Sequence, residues 1–264
     1  GAVFYVDLFA GTLRGIKKRI PYLKELGITF VHLMPLFRTP FGETDGGYAV
    51  SSYRHIEKRF GTMTDLKDLI EEFDLNGINL VLDFILNHTS DQHEWANKAR
   101  KGDPKYQNYY YIFKEKIELE AYSPYLRDIF PDVRKGSFIF DESMKSWVWT
   151  TFNSFQWDLN YSNPEVFLQM MKEMFFLANL GVKILRFDAP AFIWKQKGSS
   201  CENLPEVHTL IKAFKTIMSI VFPDALFLSE AIVHPDEIKK YISVSECELS
   251  YNPLLMATLW ESLA

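Results

Sequence analysis

A chain of 264 residues, 47% hydrophobic and with a net charge of −5, is sized for one large domain or a domain with an insertion. Acids and bases are intermixed, so no basic block calls for nucleic acid, and no apolar run reaches the roughly 18–20 residues that span a bilayer. Cys201 and Cys247 lack metal-ligand spacing and are expected to be reduced structural thiols. The opening Gly1-Ala2-Val3 shows no charged head with a cleavage site, which favours a cytoplasmic setting.

The first apolar stretch, residues 3–8, reads as a strand. Leu23-Lys24-Glu25-Leu26-Gly27 then ends a helix-like segment before a second strand at 28–36. The same figure returns with Gly77 before a strand at 79–86 and with Gly181 before one at 182–188. Glycine there takes the left-handed turn that ends a helix. These strands are nearly all apolar, as in a parallel sheet covered on its outer face and packed within. Thr62 with Asp65 resembles a capping pair, and Asn163-Pro164-Glu165 joins a cap, a first-turn Pro and a first-turn acid.

Residues 89–160 break the rhythm and read as an inserted subdomain over the carboxyl edge of the sheet, between residues 1–88 and 161–264. The insertion holds Trp95, Trp147, Trp149, Trp157 and the run Tyr109-Tyr110-Tyr111. These aromatics either form a small core or line a pocket for a ligand with C–H faces, such as a sugar. Further on, Val207, Leu210, Ile211, Phe214, Ile217, Met218 and Val221 make one helical stripe. Strands at 226–231 and 246–251 and a helix at Asn252–Ala264 complete the chain. Six strands alternating with helices imply an α/β fold with a parallel sheet and right-handed crossovers. Alternation alone admits a doubly wound sheet or a barrel.

Acids placed where apolar strands stop lie at the carboxyl edge, where such folds put their chemistry. Asp83, Asp188 and Glu230 occupy such places, with Asn87-His88 just beyond Asp83 and Arg186 two residues before Asp188. Residues two apart on a strand point to the same side. Asp188 and Glu230 therefore suggest a carboxylate pair, with Arg186 holding Asp188 ionised and a partly apolar setting keeping a proton on Glu230. Retaining cleavage of a glycosidic bond needs such a nucleophile and acid, about 5–5.5 Å apart.

Asp83 with Asn87-His88, Gly181 with Arg186 and Asp188, and Glu230 resemble the first three signature regions of the alpha-amylase family of retaining glycosidases and transglycosidases. Longer strings, Asp45 to Arg54, Thr150 to Asn160 and Ser200 to Pro205, resemble the amylosucrases of that family. The resemblance implies a (β/α)8 TIM-type barrel with an inserted domain after strand three. It implies sucrose as donor, release of fructose, and transfer of glucose to an α-1,4-glucan acceptor, or to water in a sucrose hydrolase. Carried over, Asp188 is the nucleophile, Glu230 the general acid/base, and Arg186 orients Asp188. His88 contacts the glucosyl hydroxyls, Tyr48 stacks on the ring, and Asp45 helps close the pocket floor. Arg127, Phe152 and Gln156 line the entrance or the acceptor side, with Asp83 and Asn87 as structural neighbours. The family's alpha-amylases often use the equivalent of Asn87 for calcium, whereas amylosucrases are not known for needing it, so no metal and no cofactor are expected.

Two departures stand out. Pro190, where a small apolar residue is expected, suggests a slight shift of the loop after Asp188-Ala189. The family's fourth signature, a His-Asp pair after strand seven, is not found; His234-Pro235-Asp236 comes too soon and reads as a helix start. The chain is therefore expected to hold about six of the eight barrel units, and by itself to be a weakly active or non-catalytic piece.

Overall fold

The computed structural model describes residues 1–231 and 233–263; Ala264, expected to end the last helix, lies outside the described residues. Six strands make the main sheet: β1 (Ala2–Phe4), β2 (Phe30–Leu33), β3 (Asn79–Ile85), β4 (Ile184–Asp188), β5 (Leu226–Ser229) and β6 (Leu249–Ser250). They pair in sequence order and every pair is parallel. Each junction is bridged by helices or by an excursion that contains them. Five successive parallel neighbours are the pattern of an incomplete barrel rather than of a doubly wound sheet, whose strand order reverses.

The repeated glycines do what their positions demand. Gly27, Gly77 and Gly181 have φ of +70°, +71° and +98°. A side chain at these values costs roughly 1–2 kcal/mol. Helix α1 (Met63–Leu75) starts in the expected capping box: Asp65 N–H donates to Thr62 Oγ1 at 3.2 Å, and Thr62 N–H donates to Asp65 Oδ2 at 2.9 Å. Helix α2 (Pro164–Asn179) starts with Glu165 N–H donating to Asn163 Oδ1 at 3.1 Å. In α3 (Pro205–Val221) the stripe residues Val207, Ile211, Phe214 and Met218 are buried, but Val221 at its end is half exposed. Two short helices follow, α4 (Pro235–Tyr241) and α5 (Pro253–Leu263). None of the described helices is long and apolar enough to cross a membrane.

The strands differ from expectation at the two ends. Residues 3–8 do not form one strand: after β1 the chain turns into a helical segment, Val6–Ala10. That turn buries Val6, leaves Leu8 exposed, and folds Phe9 onto Phe4 with ring centroids 4.0 Å apart. Alternating apolar residues there mimic a strand. At 246–251 only Leu249–Ser250 join the sheet, because Glu246 turns away to meet His208 at 2.9 Å and Lys212 at 3.5 Å.

Between β3 and α2 the chain makes its long excursion. At its root, His88–Ser90 pairs antiparallel with Gln156–Asp158, which sets His88 opposite Asp158. Further out, Ile112–Phe113, Ser146–Trp149 and Phe138–Asp141 form a three-stranded antiparallel sheet. Trp95, Trp149, Trp157, Tyr109 and Tyr110 are buried, and Tyr110 meets Trp157 edge-on at 5.4 Å. These aromatics form core; none of the five lines the cavity that holds the carboxylates.

Candidate active site

Strand register brings the charged residues together. Asp83 lies directly across from Arg186 in the β3–β4 ladder, and Asp188 follows two residues on, facing the same side. In the β4–β5 ladder Phe187 pairs with Ser229, so Glu230 emerges one step beyond, beside Asp188. Arg186 ties all three acids. Its Nη1 donates to Asp83 and, at 3.1 Å, to Asp188 Oδ1, while Nη2 meets Glu230. The guanidinium also faces the rings of Tyr48 at 5.7 Å and Tyr251 at 5.4 Å. Asp83 is fixed from behind by His32 Nε2 at 2.9 Å, and Tyr251 Oη approaches His32 Nδ1 at 3.2 Å. Arg186 and Asp83 are buried, so this is an interior ion cluster in which a planar, permanently charged fork suits several carboxylates at once.

The charge balance decides the chemistry. Burial pushes the Asp188 carboxyl well above its usual range, and the Glu230 charge pushes it further. Arg186 pulls it down but does not prevail. Arg186 therefore opposes the rise at Asp188, as expected of a neighbouring cation, while burial and the nearby carboxylate of Glu230 act in the other direction.

These acids line a cavity of about 410 Å³ together with Asp45, Tyr48, His88, Arg127, Phe130, Phe152 and Phe192. A larger depression of about 590 Å³ along residues 7–19 contains none of the site residues. Asp45 has φ +52° and sits in a single tight turn with Gly46 and Gly47. Gly47 is obligatory there: its φ is +103°, and a Cβ would lie 2.9 Å from Pro35 Cβ and 3.0 Å from its carbonyl oxygen. Burial pushes His88 down to about 4 despite the pull of Asp158 and Asp45, so the imidazole is neutral at pH 7. Its Nε2 is buried without a partner among the described residues. Burial likewise raises the Tyr48 hydroxyl far above its usual range, which keeps it a neutral donor.

Of the residues read from sequence, Asp83, Asn87, Arg186 and Gln156 do not line the cavity, and of these only Gln156 was expected at its entrance or acceptor side. It is buried behind Asp45, donating to Asp45 Oδ2 at 3.0 Å, and lines no entrance. Arg127 does reach the cavity and is forked onto Glu202 by two bonds of 2.7 and 2.8 Å. Pro190 opens a single turn, Pro190–Phe192, with Ala189 at φ +49°, a strained left-handed residue next to Asp188. That turn puts Phe192 on the cavity wall, where its ring meets Phe152 at 5.3 Å, and Phe152 meets His88 at 5.4 Å. Sequence reading did not find Phe192, Phe130 or Lys195. Phe192 stands four residues past Asp188 and carried a positional signal; Lys195 carried none.

Asn87 was the residue to test for calcium. Its Oδ1 accepts from Lys195 Nζ at 3.3 Å, and the same ammonium meets Asp158 Oδ2 at 2.6 Å. A positive side chain already fills the space between these oxygens, so the residues present do not fit a cation. Among the described residues no cluster of three His, Cys, Asp or Glu could hold a metal ion.

Paired acids above consecutive parallel strands, bridged by an arginine and faced by a neutral histidine and a tyrosine, define a glycoside-bond catalytic domain. Residues 6–262 match the family model "Alpha amylase, catalytic domain", and the chain belongs to the alpha-amylase family, whose members are retaining glycoside hydrolases and transglycosidases with a (β/α)8 barrel. Trehalose synthase/amylase TreS of Mycolicibacterium smegmatis is 31% identical over 255 residues, 95% of this chain and 42% of that protein. Among solved structures, a family GH13_31 enzyme superposes with a TM-score of 0.81 at 31% identity, covering 91% of this chain and 47% of the other. Trehalulose synthase MutB from Pseudomonas mesoacidophila MX-45 superposes with the same TM-score of 0.81 at 26% identity, covering 91% and 45%. A mutant form of MutB has been solved with the substrate sucrose. The chain thus spans less than half the length of these relatives.

Proposed function

We propose that the protein containing this chain is an amylosucrase-type glucosyltransferase, which cleaves sucrose with retention and passes the glucosyl group to an α-1,4-glucan. The observation that carries this reading is the Arg186-bridged pair of Asp188 and Glu230 at the cavity. Asp188 attacks the anomeric carbon as Glu230, acting as the general acid, delivers its proton to the departing fructosyl oxygen. The glucosyl–Asp188 ester then yields to an acceptor hydroxyl whose proton Glu230 takes back, so both charge and proton count return to the start. Arg186 orients Asp188 and neutralises it. His88, with its free Nε2, and Tyr48 address the sugar hydroxyls and ring face. Asp45, held by Gln156, takes the hydroxyls furthest from the bond that breaks. Arg127, Phe152 and Phe192 face the acceptor side.

Sucrose as donor is supported by the strings Asp45 to Arg54, Thr150 to Asn160 and Ser200 to Pro205 and by the sucrose complex of MutB. A hydrolase would use the same intermediate, with only acceptor access and exclusion of water setting the outcome. Incubating the full-length protein with sucrose alone tests the proposal. Fructose with α-1,4-glucan is expected. Fructose with mostly free glucose makes the protein a hydrolase, and no consumption of sucrose refutes the donor. The 264-residue chain alone is expected to release fructose far more slowly than the full-length protein.

A further inference from the structure

Next to the cavity residues His88, Phe152 and Phe192, but not lining the cavity itself, lies a buried feature that the proposed reaction does not use. Lys195 and Asp158 form an ion pair of 2.6 Å with side chains 1% and 0% exposed. Burying two charges is expensive and often adds no net stability, so such a pair invites a second role. The remaining contacts of the ammonium say what that role is. Nζ donates to the Phe192 carbonyl at 2.7 Å and approaches Thr151 Oγ1 at 3.2 Å and Asn87 Oδ1 at 3.3 Å. Phe192 is itself on the wall, Thr151 precedes Phe152, and Asn87 precedes His88. Asp158 in turn stands opposite His88 in the antiparallel ladder and accepts from Thr151 N–H at 2.8 Å and its hydroxyl at 2.5 Å. His88, Phe152 and Phe192 form one continuous aromatic wall, with centroids 5.4 and 5.3 Å apart. They come from three separate segments: the end of the third strand, the return of the excursion, and the turn after the fourth strand.

We infer that Lys195, with Asp158, is a positioning residue for the sugar pocket: one buried ammonium locks the three segments that present His88, Phe152 and Phe192. A lysine suits this because its three N–H donors diverge from a single point toward acceptors on separate segments, adding the turn after the fourth strand to the two that the His88–Asp158 ladder already joins. The inference rests on the glucosyl-pocket reading above and does not depend on sucrose being the donor.

The test uses the full-length protein and 1-deoxynojirimycin, a glucose-shaped cation, with binding measured by calorimetry. Lys195→Met alone strands a buried carboxylate and is expected to unfold more easily. The informative protein is the double variant Lys195→Met with Asp158→Asn, which removes both charges while keeping similar shapes. It is expected to recover most of the thermal stability and still bind about tenfold more weakly or worse, with KM for a glucosyl donor raised more than kcat is lowered. Recovered stability together with wild-type affinity overturns the inference and leaves the pair a structural feature only. Should the double variant not fold, Thr151→Val removes one hydroxyl that touches both partners. About threefold weaker binding is then expected from a single lost hydrogen bond, and unchanged binding overturns the inference. A wild-type protein that does not bind the probe refutes the glucosyl-pocket reading, and this inference with it.

Discussion

Replacing Arg186 by Met probes the electrostatics of the site most sharply. The guanidinium lies 3.1 Å from Asp188 Oδ1 and also contacts Asp83 and Glu230. At that separation and an effective dielectric constant of about 20, the Arg186–Asp188 attraction is about 5 kcal/mol. Burial and Glu230 already push Asp188 up, and Arg186 opposes both. Its loss therefore moves Asp188 further up, and the acid limb of the pH–rate profile shifts to higher pH. At about 1.4 kcal/mol per factor of ten, losing an attraction of this size should lower kcat/KM by up to roughly three orders of magnitude. The assay is kcat/KM for α-glucosyl fluoride from pH 5 to 9 in the full-length protein, which isolates attack by Asp188 because fluoride needs little help in leaving. Arg186→Met should lose about a thousandfold near pH 7 and recover partly at high pH. Arg186→Lys keeps a charge but not the fork, so its loss should be smaller. An Arg186→Met protein that is folded by circular dichroism, within tenfold of wild type and unshifted in pH, refutes the reasoning.

Other substitutions follow from the same geometry. Glu230→Gln should still accept glucose from glucosyl fluoride while losing sucrose cleavage by several orders of magnitude; comparison of the two donors checks it, and equal losses would place the acid elsewhere. His88 and His93 are both pushed by burial down to about 4. The unfolded chain binds their protons first as pH falls, so each should cost about 3 kcal/mol of stability between pH 6.5 and 4. His93→Asn keeps a side-chain acceptor for the helix start that His93 now caps, and should flatten that fall in a denaturation series against pH. Thr62→Ala removes the hydroxyl of the α1 capping box and should destabilise by about 1 kcal/mol in urea titrations without altering the site.

Much of the fold was legible because local rules and tertiary structure agree. The glycines at 27, 77 and 181 end helices in the same left-handed turn that the sequence pattern demands. The strand ends at Asp83, Asp188 and Glu230 converge because parallel strands put their carboxyl ends on one edge. Residues 3–8 misled because Val6 and Leu8 alternate like a strand while the chain is already helical. The four tryptophans of the excursion were ambiguous, since a buried ring and a sugar platform have the same sequence signature; Trp157, at 0% exposure, belongs to the core. The role of Gln156, named from sequence but placed at the entrance, and the involvement of Lys195 were beyond reach for another reason. Their partners lie 111 residues away for Gln156 with Asp45 and 108 for Lys195 with Asn87, and no local pattern encodes such pairings. The direction of the Asp188 shift likewise depends on burial and on Glu230, which only the assembled site reveals.

The central claim is that Asp188 becomes covalently glucosylated while Glu230 manages the proton. Mixing the full-length Glu230→Gln protein with α-glucosyl fluoride, then digesting and mapping it by mass spectrometry, tests this directly. The account predicts one added glucosyl residue on the peptide that carries Asp188, and none after Asp188→Asn. A label on another carboxylate, or product of inverted anomeric configuration with no label at all, contradicts it.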